Sequence, residues 1–148
     1  MTAQPFVVPY RNFAGNGLRP YLVLHLTGPN GKSGAVWGLV DSGADCTSLP
    51  YGFASLMGYT VADLKAEAGT QAGGSLTYHR SLKPSYALVP EAPDLVMEMH
   101  PVFVEGAQSA LWGRMDFMLH YLVTIMEPQQ AFAIARHDGG ATSPPTPT

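Results

Sequence analysis

Ala35-Val36-Trp37-Gly38-Leu39-Val40 runs directly into Asp41-Ser42-Gly43-Ala44-Asp45. An apolar stretch that breaks into small residues reads as a buried strand ending in a tight turn. Asp41 stands at the break. The small residues behind it let other backbone approach closely and leave the carboxylate in the open. A turn aspartate that merely caps local amides has the same local appearance. The remainder of the chain has to separate the two readings.

The 148 residues suit one domain with one core. Gly and Pro are frequent, 16 and 13, and they separate short apolar runs, which reads as mainly β. Strands are expected at Phe6-Val7-Val8, Tyr21–Leu26 and Ala35–Val40, the last buried on both faces. Gly28-Pro29-Asn30-Gly31 is expected to turn the chain between the latter two. Leu49 to Gly58 reads as a short helix, with Pro50 in its first turn and Gly58 as its stop. The small residues Gly69 to Gly74 separate two segments that can pair as a hairpin, and β-formers continue to Val89 with Pro84 as an interruption. Further strands are expected at Leu95–Met99, Val102–Val104 and Ser109–Gly113. A short helix over Arg114–His120 and a hairpin of Tyr121–Met126 with Ala131–Ala135 complete the domain. The organisation is then an N-terminal segment 1–20, a domain 21–137 and a Pro/Thr-rich, disordered tail 138–148.

Composition excludes several functions. Net charge is -3 and no Lys/Arg cluster occurs, which argues against nucleic acid as a partner. The single Cys rules out an internal disulfide and a Cys-rich metal centre, and the five His stand apart, so no metal and no cofactor is expected. Gly28-Pro29-Asn30-Gly31-Lys32-Ser33 looks like a phosphate loop, but Leu26 stands where that motif needs its first Gly. No apolar run approaches the roughly 20 residues of a membrane span, and Met1 to Arg11 does not read as a signal peptide. A cytoplasmic, free-standing gene product is the expectation. Charged residues make up only 13%, against roughly 25% in ordinary soluble domains, so a buried subunit interface is expected.

A second special turn lies late in the chain, at Leu111-Trp112-Gly113-Arg114. Gly113 lets another backbone come close beneath a loop. Together, Asp41-Ser42-Gly43-Ala44-Asp45-Cys46-Thr47 and Leu111-Trp112-Gly113-Arg114 resemble the retropepsin-like aspartic proteases over roughly Tyr21 to Ile134. The resemblance implies a closed β-barrel with one or two short helices, active as a two-fold homodimer on a peptide or protein substrate. It implies that Asp41 is the catalytic acid/base within an active-site loop of Ser42, Gly43 and Ala44. Gly43 and Asp45 would bind substrate backbone. Gly73 and Gly74 would lie in a flap over residues 69–78. Thr47, Leu111, Trp112, Gly113 and Arg114 would support the loop, with Asp45 paired to Arg114. Trp112 is bulkier than the family's usual residue, which calls for a wider core or a hydrogen-bond partner. Cys46 reads as a small structural side chain, with a thiol switch as the alternative.

Aspartic proteolysis needs two carboxylates about one water, and this chain has one Asp-Ser-Gly. The resemblance therefore implies one Asp41 from each of two subunits. The alternative is a catalytically silent retropepsin-like dimerisation or peptide-binding module. A monomeric β-barrel that binds a small ligand remains if the acidic turn is only a turn.

Overall fold

The computed structural model describes residues 5–71 and 73–137; the tail expected from Asp138 onward lies outside them. The fold is mainly β. In chain order it comprises β1 (Phe6–Pro9), β2 (Arg11–Asn12), β3 (Leu18–Arg19), β4 (Tyr21–Thr27), β5 (Ser33–Val40), β6 (Ser48–Pro50), α1 (Phe53–Leu56), β7 (Leu64–Gln71), β8 (Gly74–Ser81), β9 (Ser85–Leu88), β10 (Met97–Met99), β11 (Val102–Val104), β12 (Ala110–Trp112), α2 (Phe117–His120), β13 (Tyr121–Met126) and β14 (Ala131–Arg136). Nine strands form one sheet in the order β10-β9-β4-β5-β12-β6-β11-β8-β7. A separate sheet, β1-β14-β13, joins the two ends of the chain, and β2-β3 is a small ribbon.

The β4–β5 hairpin carries the framework. Its turn forms where Asn30-Gly31 is expected to place it, with Gly31 at φ +83° and the Gly28 N–H donating to the Lys32 carbonyl at 2.8 Å. Along β4 the side chains of Leu22, Leu24 and Leu26 alternate into the core. β5 is buried only toward Val40; Ser33 to Ala35 and Trp37 are exposed, because that end of the hairpin extends beyond the core. The buried residues Gly38 and Val40 share one face, while Trp37 and Leu39 on the other are exposed and half-buried, so the expected burial on both faces does not hold.

Two parallel pairings place the end of β5. β12 runs parallel to β5, with Trp112 opposite Val40. β6 runs parallel to β11 and touches β12 through Leu111 and Ser48. This pairing overrides the expected helix start at Leu49-Pro50. Leu49 is fully buried between its neighbours, and Pro50 ends a strand instead of opening a helix. The helix shrinks to Phe53–Leu56, while Gly58 keeps its stopping role at φ +89°, its N–H bonded to the Ser55 carbonyl at 3.1 Å. The late helix is likewise shorter than expected, because Arg114 to Asp116 bond to the acidic loop.

Among the described residues the expected closed barrel does not form. The nine-stranded sheet ends at β10 and β7 without joining them. No described side chain from Leu64 to Arg80 is fully buried, so little apolar burial draws the β7–β8 hairpin inward to close the sheet.

Trp112 sits at the centre of the core, fully buried. Its indole Nε1 donates to the Leu22 carbonyl at 2.9 Å. The space for the ring comes from Gly38, where a Cβ would collide with the indole. Trp112 thereby ties β12 across β5 to β4. Replacing Trp112 with Phe leaves the buried Leu22 carbonyl without this donor and opens a void. Chemical denaturation should show a loss of about 2 kcal/mol or more; an unchanged midpoint would refute this role.

Candidate active site

Asp41 follows the last residue of β5, and its position is fixed by backbone on both sides. The Val40 N–H donates to the Pro20 carbonyl at 2.9 Å, and the Asp41 N–H donates to the Trp112 carbonyl at 3.0 Å. The Asp41 carboxylate turns back on its own loop. Oδ1 accepts the Gly43 N–H at 2.8 Å, and the Asp41 carbonyl accepts the Ala44 N–H at 3.2 Å. This is a compact Asx-type turn. A Cβ on Gly43 would press on Oδ1 at 3.1 Å. Asp41 is half-buried, and among the described residues its Oδ2 accepts no hydrogen bond.

The late turn grips the other side of the loop. The Arg114 N–H donates to the Ala44 carbonyl at 3.0 Å, and the Met115 N–H to the Asp45 carbonyl at 2.7 Å. Gly113 passes against Cys46 so closely that a Cβ would lie 2.5 Å from its carbonyl carbon. Thr47 is fully buried beneath, its Oγ1 at 3.5 Å from the Gly113 N–H. The Asp45 carboxylate and the Arg114 guanidinium form an ion pair. Both side chains are more than half exposed, at 74% and 55%, so water screens the pair and it holds the loop only weakly.

Asp116 is the structural residue that sequence reading passed over. Its buried carboxylate accepts the Thr47 N–H at 2.9 Å through one oxygen and the Phe117 N–H at 2.7 Å through the other. One carboxylate thus caps α2 and holds the acidic loop to it. An Asp before an apolar helical turn is a recognisable N-cap signal; its second partner, 69 residues away, is not.

The structure brings the loop up to a cleft of 640 Å³ beneath the β7–β8 hairpin. Ala44, Cys46, Leu76, Tyr78, Val102 and Met115 are among its walls. Asp41 does not line this cleft, and neither do Gly73 and Gly74 at the hairpin tip. Both glycines adopt positive φ, +106° and +140°, which side chains rarely adopt. Lower down, Arg80 grips Glu67 through two nitrogens, each at 3.3 Å. Arg80, and then the Tyr78 hydroxyl, hold the Glu67 carboxyl below its ordinary range. That clasp is fully present above the ordinary Glu pKa and is lost as pH falls through the lowered one.

Cys46 faces the same cleft, half-buried. Burial first, then the Asp116 carboxylate, push its thiol up; Arg80 opposes them more weakly. Such a thiol is a poor nucleophile, which favours the structural reading over a switch. Among the described residues no group of three or more His, Cys, Asp or Glu is arranged to hold a metal ion, and no helix is long and apolar enough to cross a membrane.

No protein-family model and no curated protein matches the chain. Solved structures do. A retropepsin-like aspartic protease from Rickettsia conorii superposes with a TM-score of 0.60 at 13% identity, over 88% of this chain and 98% of that one. EIAV protease complexed with the inhibitor HBY-793 aligns over 70% of this chain and 88% of its own, with a TM-score of 0.46 and 16% identity. The fold of the chain is retropepsin-like.

The two sides of the grip differ in strength. Gly113→Ala forces Cys46 backbone to move and should cost about 1–3 kcal/mol. Arg114→Gln removes only the exposed pair and should cost less than about 1 kcal/mol. Equal losses in urea titrations of the two variants would contradict this ranking.

Proposed function

We propose that the protein is an aspartic endopeptidase that works as a two-fold homodimer, with one Asp41 from each subunit. The observation that carries this reading is the Asp41 turn, clamped between the ends of β5 and β12 with Oδ2 unengaged among the described residues. A turn aspartate with only a capping role needs no such clamp from a segment some 70 residues on. The retropepsin-like fold agrees with it.

The chemistry requires the second copy. Two Asp41 carboxylates a few ångströms apart cannot both ionise at low cost, so the pair retains one proton and titrates as a unit. The ionised member takes a proton from a water as its oxygen attacks the peptide carbonyl carbon. The protonated member gives its proton to the carbonyl oxygen. The resulting gem-diol then collapses, the C–N bond breaks, and the leaving nitrogen receives a proton. Ser42 would secure one loop to the other across the axis, while Gly43 and Asp45 would bind substrate backbone. The β7–β8 hairpin, tipped by Gly73 and Gly74, would close over an extended peptide and exclude water.

For assembly, the β1-β14-β13 sheet has two edges unpaired among the described residues, with Val7, Leu122 and Ile125 each at least half exposed. A second copy that pairs there would cover apolar surface and bury unpaired backbone. The single Cys suits a reducing, cytoplasmic setting.

Asp41→Asn should lower peptide cleavage by at least about a thousandfold while sedimentation still reports a dimer. Cleavage by the variant at the wild-type rate would refute the proposal. A wild-type dimer that cleaves nothing would favour the silent peptide-binding module, and a wild-type monomer the ligand-binding reading.

A further inference from the structure

A second cavity, of 360 Å³, lies beyond the clamped loop, under the β2–β3 ribbon. Phe13, Tyr21, Trp37, Leu39, Phe53 and Arg19 are among its walls. Phe13 meets Tyr21 edge-on at 4.8 Å and Trp37 at 5.3 Å between ring centroids. Trp37 is 39% exposed, unusual for a side chain of its size.

The ribbon above it carries an electrostatic anomaly. Arg11 and Arg19 stand directly opposite each other across β2 and β3. Like charges in that position repel. Lys65, Arg80, Lys83, Arg114 and Arg136 each have a carboxylate within 4.0 Å. Among the described residues Arg11, Arg19 and Lys32 have none, although the chain is net acidic; Lys32 lies in the β4–β5 turn, whereas the two arginines oppose each other. Arg11 lies over the Trp37 ring at 4.8 Å, and Arg19 uses only its Nε, on the Asn16 carbonyl at 3.1 Å. The terminal guanidinium nitrogens therefore face solvent beside an aromatic cavity. That is the arrangement that receives a carboxylate with an aromatic or apolar neighbour.

Trp37 and Leu39 project from β5 on the side that Asp41 continues, since alternate residues share a face. At ~3.3 Å per residue, Trp37 lies about 13 Å from Asp41 along the strand, or about four residues of an extended peptide. We propose that this cavity selects acidic substrate segments, seating an aromatic side chain against Phe13 and Trp37 and an Asp or Glu on Arg11 and Arg19. The inference rests on the peptidase reading for its consequence, but its binding step can be measured without turnover.

The Asp41→Asn protein is titrated with one octapeptide made in three forms, carrying Glu, Gln or Lys beside a Phe. Trp112 is fully buried, so the change in tryptophan fluorescence reports Trp37. The Glu peptide should bind at least about tenfold more tightly than the Lys peptide, and the preference should weaken with salt. Arg11→Glu combined with Arg19→Glu should reverse the order. Equal affinity for the three peptides overturns the proposal, without reliance on any ribbon variant. So does a preference that survives charge reversal, or full displacement by inorganic phosphate at the peptide's own concentration. Wild-type cleavage that ignores the Glu-to-Lys change would leave the peptidase reading standing and sink this one. Selective binding of the Glu peptide with no wild-type cleavage would do the opposite.

Discussion

The close passage of Gly113 against Cys46 sets the geometry on which the rest of the site depends. A side chain at position 113 would place its Cβ 2.5 Å from the Cys46 carbonyl carbon, well inside van der Waals contact. Only because it is absent can the loop and the late turn exchange their hydrogen bonds: Asp41 to Trp112, Arg114 to Ala44, Met115 to Asp45. These are backbone contacts between segments about 70 residues apart. They hold without help from the exposed Asp45–Arg114 pair, and Asp116 fastens the assembly from below. A carboxylate that is to act on a substrate has to be held this firmly, since its own turn supplies one hydrogen bond.

The same logic extends into the core. Trp112 immediately precedes Gly113, and its indole reaches through the space left by Gly38 to the Leu22 carbonyl. Two glycines and one large ring thereby set the distance between β12, β5 and β4. The outer hairpin obeys no such constraint. No described side chain from Leu64 to Arg80 is fully buried, and β7 and β8 are held by their own ladder, the pairing of β8 with β11 and the Glu67–Arg80 clasp. A rigid loop facing a thinly supported hairpin suits a cleft that must open for a chain and close over it.

Much of this was legible in the residues. The β4–β5 turn, the β7–β8 and β13–β14 hairpins and the end strands announce themselves through Gly, Pro and alternation, which are local signals. β6 did not, because three residues have no period and Leu49-Pro50 favours a helix start until long-range pairing overrides it. The β2–β3 ribbon was invisible for the same reason, at two residues per strand. Of the candidate site, Asp41, Ser42, Gly43 and the late Gly113 were readable as motifs. Asp116 was not, since its function lies in a partner 69 positions away. Sheet closure also failed as an expectation, because the fold's outer hairpin lacks the buried side chains that would bend it back.

The distribution of charge sharpens what the opening acidic turn requires of its surroundings. In a chain with so few charged groups, most cations are used within the fold, each set on a carboxylate. Arg11, Arg19 and Lys32 depart from that pattern, and of these Arg11 and Arg19 are opposed to each other and left open beside Trp37. Repulsion of this kind costs folding free energy on a ribbon that has little packing of its own, so an anion that relieves it stabilises ribbon and complex together. The strand that carries Trp37 ends four residues later at Asp41. Recognition of an acidic segment at the ribbon and placement of a bond at Asp41 would then be two ends of one extended peptide, lying along a single strand of the sheet.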